Sequence, residues 1–258
     1  MTARNIDEIT PLILVHNEEA NLADTLERIA WAKRIVLVDS CSTDATAMIA
    51  ARFPNAELIR REFDNHTNQW NFGLSQVLTQ WTLTLDADYK CPYDLRDELT
   101  QLNLDRDIYF ASFRYCAFGR PLRATLYPPR AVLFKSAQHK YYQDGHTQLL
   151  DMNNATIGQL RSVIDHDDRK PLARWIQSQF KYASLEADKL FITPTSSLGW
   201  KDRIRLKIMF APVLTLFYCL FLKRLVLDGW AGMYYTLQRV FAELTLSLML
   251  LDRKLRGR

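Results

Sequence analysis

The sequence of 258 residues contains no glycine-rich phosphate loop: neither Gly-x-Gly-x-x-Gly nor a Walker-type loop occurs. This argues against a dinucleotide dehydrogenase or a P-loop NTPase, so a nucleotide site would have to use carboxylates and a metal in place of a glycine cradle. The four cysteines, Cys41, Cys91, Cys116 and Cys219, show neither paired spacing nor a metal-ligand pattern. Reduced thiols in a cytosolic setting are expected. Met1 to Asp7 is polar and lacks the apolar stretch of a secretory signal, which places the expected catalytic part in the cytoplasm. Repeats and low-complexity linkers are absent. The net charge of +4 implies no acidic partner by its total, and nucleic acid is not expected. With 48% hydrophobic residues, a chain of this length can bury a sizeable core in one large domain plus an appendage.

What is present is a strand run with a carboxylate end. Residues Leu83 to Asp88 read Leu-Thr-Leu-Asp-Ala-Asp. In a strand, residues i and i+2 share a face, and two such oxygens at the strand end can converge on a hard cation such as Mg²⁺ or Mn²⁺, which usually also holds substrate phosphates. A surface turn explains the pair equally well when it is taken alone.

Two apolar periods alternate through the first half. Thr10 to Val15 reads as a strand, about Glu19 to Ala32 as a helix, and Arg34 to Val38 as a buried strand. Ser42 or Thr43 can cap a helix running to about Arg52; Ala56 to Arg60, Asn68 to Gln80 and Trp81 to Leu85 follow as strand, helix and strand. This order predicts βαβ units and a mostly parallel sheet flanked by helices, a Rossmann-like α/β fold. Ligands of such sheets bind beyond the carboxyl ends of the strands, where the polar clusters at residues 16–19, 39–44 and 86–88 fall. Asp107 to Tyr115 and Arg130 to Lys135 read as further strands, joined by a basic loop with Arg120, Arg123 and Arg130; Pro171 to Leu190 reads as a helix. Asp165-His166-Asp167-Asp168 could look like a second metal cluster, but a polar turn before that helix explains it more simply. Composition shifts after Pro194 to Gly199, which divides the chain into an expected catalytic domain, 1–195, and a helical tail, 196–258.

Taken together, Leu14-Val15-His16-Asn17-Glu18-Glu19, Val36-Leu37-Val38-Asp39-Ser40-Cys41-Ser42-Thr43-Asp44 and Leu83-Thr84-Leu85-Asp86-Ala87-Asp88 resemble the inverting glycosyltransferases of family two, with the GT-A nucleotide-sugar fold. Tyr127 to Lys135 and the tail from Lys201 to Leu251 add a likeness to the bacterial enzymes that build lipopolysaccharide core and related surface glycans. The resemblance implies a nucleotide-sugar donor, a UDP-sugar by family default, and Mg²⁺ or Mn²⁺ as cofactor. It implies that Asp39 bonds the nucleobase, that Glu18 lies near the nucleoside, and that Asp86 and Asp88 hold ribose, metal and diphosphate. Val15, His16 and Ala87 complete the implied donor set. Glu18 and Asp39 could instead be carboxylates favoured by a helix N-terminus.

An inverting transfer needs one base to take the acceptor proton. Where many relatives have Glu-Asp or His-Glu, this chain has Asp144-Gly145-His146. Asp144 is the favoured base, with His146 orienting acceptor or phosphate; the reverse assignment and a plain Asp-Gly turn stay open. Arg120, Arg123 and Arg130 are candidate contacts to an acidic or phosphorylated acceptor, or a solvated loop.

Ile208 to Leu222 is an uncharged apolar run interrupted by Pro212, too short to span a bilayer; Leu225 to Leu251 is broken by Asp228, Arg239 and Glu243, costly against lipid. Interfacial or re-entrant helices at the inner membrane's cytoplasmic side are expected, with a buried hairpin or a homo-oligomer interface as the competing reading. The leading function is sugar transfer to a membrane-linked saccharide. A polyprenyl-phosphate glycosyltransferase and a non-catalytic nucleotide-sugar scaffold are the rivals.

Overall fold

The computed structural model describes residues 5–145 and 147–257. Its internal contacts divide the chain into two units: Met1–Cys116 with Leu126–Tyr142 and Leu149–Arg169, and a second of Ala117–Thr125, Gln143–Gln148 and Lys170–Arg258. In chain order the elements are β1 (Ile9–Val15), α1 (Leu22–Arg28), β2 (Ile35–Asp39), α2 (Thr46–Ala50), β3 (Ala56–Arg60), α3 (His66–Ser75), β4 (Trp81–Asp86), β5 (Tyr89–Lys90), α4 (Leu95–Gln101), β6 (Ile108–Ala117), β7 (Arg120–Pro121), β8 (Arg130–Lys135), β9 (Tyr141–Asp144), β10 (Thr147–Leu150), β11 (Ile157–His166) and α5 (Leu172–Ile192). Helices α6 (Trp200–Arg205), α7 (Phe210–Phe217) and α8 (Gly229–Leu255) complete it.

The first unit is built on a sheet ordered β3-β2-β1-β4-β8-β6-β11-β5. Its N-terminal half is parallel, as the alternation of periods requires: Leu12 pairs with Val36 on one side and with Thr84 on the other. The sheet as a whole is mixed, because β8 runs antiparallel to both β4 and β6, and β5 antiparallel to β11. Strands β1 and β2 are buried on both faces, which is why they read as continuous apolar runs. Glycine eases the approach of α3: a Cβ on Gly73 would stand 2.6 Å from Leu12 Cδ1, so any other residue there would push the Leu12 side chain aside.

Three helices are shorter than their periodicity suggests, α2 among them, which runs only over Thr46–Ala50 with Ala45 at its N-cap. The Glu18 carbonyl already accepts from the Asn21 and Leu22 amides, so residues 18–21 form turns and α1 starts at Leu22. Asn65 caps α3 by accepting from the Asn68 amide at 2.8 Å, which starts that helix before the expected Asn68 and lets it end at Ser75. A further correction concerns Asp165-His166-Asp167-Asp168. Asp165 and His166 are the last residues of β11, paired with Lys90 and Tyr89, and the polar turn expected there begins only after them.

In the second unit α5 packs on α8 through Ala183, Ala187, Leu190, Leu246 and Leu250. The charges that interrupt the tail all have partners inside the unit. Asp228 bonds Arg123 at 2.9 Å, Glu243 bonds Arg205 at 2.7 Å, and the Arg239 guanidinium lies between the Trp175 and Tyr235 rings. The compositional shift at Pro194 to Gly199 falls inside this unit, between α5 and α6. Among the described residues no single helix is long and apolar enough to cross a membrane.

Candidate active site

Register brings the sequence candidates together. Leu14 of β1 pairs with Asp86 of β4 and Val15 pairs with Asp39 of β2, so two carboxylates end up on either side of Val15 at one sheet edge. Asp39 is fully buried. Its Oδ1 accepts from the Ser42 amide at 2.9 Å and hydroxyl at 2.6 Å. Its Oδ2 has no hydrogen-bond partner among the described residues and stands 3.6 Å from Arg60 Nε. A buried carboxylate oxygen left in this state is costly unless something completes it, and a ligand N–H or hydroxyl would.

The loops after β1 and β2 are laced to each other. The Asn17 backbone, with φ of 55°, donates to Ser42 Oγ at 2.9 Å, and Asn17 Oδ1 accepts from the Thr43 amide at 2.8 Å. Glu18 is buried; its amide donates to Thr46 Oγ1, and its carboxylate accepts from the Asn21 side chain. This is local loop-bracing of the kind a helix N-terminus invites. Asp44 accepts from the Thr46 amide and hydroxyl and from the Glu19 amide; burial raises its pKa, and these bonds outweigh it and hold the carboxyl below its ordinary value. His16 is exposed, its Nδ1 2.9 Å from the Ser40 carbonyl.

Beyond Asp86 the chain makes a two-residue turn into β5. Thr25 of α1 fixes it by donating to the Ala87 carbonyl at 2.6 Å. Asp88 is consequently buried, and its Oδ2 lies 3.4 Å from His166 Nε2. Burial works against charge on His166, but the Asp88 carboxylate outweighs it and raises the imidazole pKa. The rings of Tyr89, Tyr115 and Tyr127 surround that imidazole at 5.0–5.3 Å. Arg130 stacks over Tyr127 at 4.7 Å. Burial lowers its pKa, and Tyr127, Tyr89 and Asp86 more than offset this, so a cation persists beside the Asp86 carboxylate.

The donor set fits a divalent ion. Asp88 and His166 offer a carboxylate and an imidazole side by side, and His166 Nδ1 has no hydrogen-bond partner among the described residues. Carboxylate oxygen suits Mn²⁺ or Mg²⁺, whereas an imidazole is the more usual ligand of Zn, Fe, Ni or Cu. No group of three or more His, Cys, Asp or Glu converges among the described residues.

The other candidates lie in the second unit, apart from His146, which lies outside the described residues. Asp144 ends β9 and Gly145 follows at φ of 60°. Both Asp144 oxygens are held by Lys189 Nζ, at 2.7 and 2.8 Å. Arg123 is bonded to Asp228, and Arg120 stacks over Trp230 at 5.2 Å. Sequence reasoning missed Lys189, gave Tyr127 no role and set His166 aside as part of a turn. His166 had a signal: Leu160, Ser162 and Ile164 are buried while Arg161 and Val163 are exposed, a period of two that marks a strand running to it.

A parallel βαβ half with carboxylates along its C-terminal edge agrees with the GT-A-like fold that the sequence resemblance implies. Glycosyl transferase family 2 matches over residues 12–165, and the chain belongs to that family. It is 24% identical over 195 residues to the lipopolysaccharide core biosynthesis glycosyltransferase LpsC of Rhizobium meliloti (strain 1021), covering 70% of this chain and 71% of the relative. S. aureus TarS 1-349 in complex with UDP-GlcNAc superposes with a TM-score of 0.50 at 13% identity, covering 97% of this chain and 92% of that one. Glucosyl-3-phosphoglycerate synthase from Mycobacterium tuberculosis gives the same TM-score of 0.50 at 13% identity, over 72% of this chain and 81% of that one. The enzyme is a glycosyltransferase with a mixed, GT-A-like sheet.

Proposed function

We propose that this enzyme transfers a sugar, with inversion, from a nucleotide-sugar donor to a saccharide carried on a membrane lipid, as in lipopolysaccharide core assembly. The observation that carries the reading is the placement of Asp39 at the end of β2 and of Asp86, with Asp88 in the turn after it, at the end of β4, the two strands that flank β1. The likeness to LpsC supports the acceptor class, and the fold shared with a UDP-GlcNAc-bound enzyme supports a UDP-sugar donor. Four free cysteines accord with work on the cytoplasmic side of the inner membrane.

In this reading Asp39 Oδ2 accepts from the nucleobase, and Val15, His16, Glu18 and Ala87 shape the wall around the nucleoside. Asp86 faces the ribose, Asp88 and His166 would hold a divalent ion such as Mg²⁺ or Mn²⁺, and Arg130 balances anionic charge next to Asp86. The metal, when bound, neutralises charge on the departing nucleoside diphosphate. Asp144 takes the proton of the acceptor hydroxyl once its Lys189 contact opens, and His146 orients the acceptor.

A thermal-shift screen of nucleotide sugars with and without Mn²⁺ tests the donor half, because a ligand of the folded state alone raises Tm by mass action. UDP-sugars are expected to raise the wild-type Tm in the presence of Mn²⁺ and to lose that effect in Asp88→Ala. A Tm unmoved by every nucleotide sugar would overturn the reading.

A further inference from the structure

The second unit turns an apolar helical face outward. Phe210, Val213, Leu214, Phe217, Phe221 and Leu222 are 60, 54, 49, 55, 59 and 72% exposed. Their spacing of three and four residues puts them on one face of α7 and the π-turn that continues it, Tyr218–Leu222. The opposite face, with Ala211, Pro212 and Cys219, is buried. The pattern is that of an ordinary amphipathic helix in reverse: the large apolar side chains meet solvent and the small ones meet the protein. Beyond the bend the exposure continues through Val226, Leu227 and Trp230, at 47, 60 and 50%. Contiguous apolar surface of this kind marks a docking site.

Charge on the same segment selects the occupant. Lys207 and Arg224 are exposed and Lys223 is half-buried beside this face, and none of the three makes a salt bridge among the described residues. The segment's acidic residues are already engaged, Asp202 and Asp228 by Arg205 and Arg123. A two-fold contact between copies would therefore set cations against cations across the axis, whereas anionic lipid phosphates would satisfy them. The tail's interrupting charges, Asp228, Arg239 and Glu243, are paired or stacked within the unit, so they would not have to enter lipid. The segments Phe210–Leu222 and Leu225–Leu255 meet at a bend of 70°. By length and composition such a bent pair is a broken span or a re-entrant loop, and an amphipathic pair with its apolar face on one side of the unit fits entry into one leaflet.

We propose that the bend between α7 and α8 is a monotopic anchor: its apolar face enters one leaflet of an anionic bilayer, with Lys207, Lys223 and Arg224 on the lipid phosphates and Trp230 at the boundary. The inference rests on the reading of a membrane-linked acceptor for its purpose, but its test needs no acceptor. The full chain is floated with vesicles of phosphatidylcholine alone and with vesicles of phosphatidylcholine mixed with phosphatidylglycerol. Wild type is expected to rise with the mixed vesicles, and added salt should weaken this. Phe217→Glu with Phe221→Glu should abolish flotation. Lys223→Ala and Arg224→Ala should each weaken binding to the mixed vesicles by about fivefold and leave binding to phosphatidylcholine unchanged. The charge variants read the same face should the glutamate pair fail to fold. Donor-dependent Tm shifts measured on each variant separate loss of docking from loss of the donor site. Wild type that stays down with both vesicles, or a glutamate pair that floats like wild type, would overturn the proposal. So would a wild-type dimer that does not float and that the glutamate pair renders monomeric.

Discussion

At the residue scale the candidate functional residues are carboxylates given different surroundings. Asp39 is sealed in and held by Ser42, Asp88 is buried against an imidazole, and Asp144 is gripped by a lysine. Environment, not residue type, separates their roles. Asp144→Asn keeps the shape of the side chain and removes its capacity to take a proton. Transfer is expected to fall by about 10² to 10⁴, with donor binding by calorimetry close to wild type. Near-normal transfer would take Asp144 out of the role of base. The acidic candidates at 18, 39, 86 and 88 were legible because they sit within short motifs whose spacing follows strand geometry. Lys189 was not, because nothing local to α5 signals that the hairpin turn carrying Asp144 will meet it.

At the element scale β11 decides where His166 arrives. The strand has a register shift between Gln159 and Val163, and a bulge of this kind leaves backbone donors unpaired. Glu98 of α4 accepts both, from the Arg161 amide at 2.6 Å and the Ser162 amide at 2.8 Å. Burial raises the Glu98 pKa; the Ser162 hydroxyl and these amides outweigh it, and the carboxyl sits below its ordinary value. A carboxyl with a depressed folded-state pKa contributes stability that is present above its unfolded value, about 4.3, and is lost as pH falls through the folded one. Glu98→Gln should therefore cost about 1–3 kcal/mol at neutral pH. Urea unfolding of both proteins should show the gap closing as the solution is acidified below about pH 4. A gap that stays constant in acid would mean that the Glu98 charge does not matter to the bulge.

At the scale of the whole molecule, the two groups proposed to hold the metal come from distant parts of the chain. Asp88 follows β4 in the parallel half, and His166 ends β11 in the mixed half. Treatment with EDTA is expected to remove the donor-dependent Tm shift, and Mn²⁺ should restore it. In His166→Ala the Mn²⁺ concentration needed for that restoration should rise by about 10- to 100-fold. An unchanged Mn²⁺ requirement would show that His166 is a packed neighbour of Asp88 and no more.

The parallel half and its carboxylate edge were determined by the sequence itself, since apolar period, strand length and the polar residue closing each strand are properties of neighbouring residues. Pairing across the chain was decided only by the tertiary structure. Packing of β8 between β4 and β6 made the sheet mixed, and β11 joined β5 to set His166 beside Asp88. The tail shows the same division. Its apolar runs and its interrupting charges are plain in the residues, but a run does not say which way it faces. Burial is settled by what packs on the other side: Arg205 and Arg123 draw Glu243 and Asp228 inward, and Phe217 and Phe221 are left facing out.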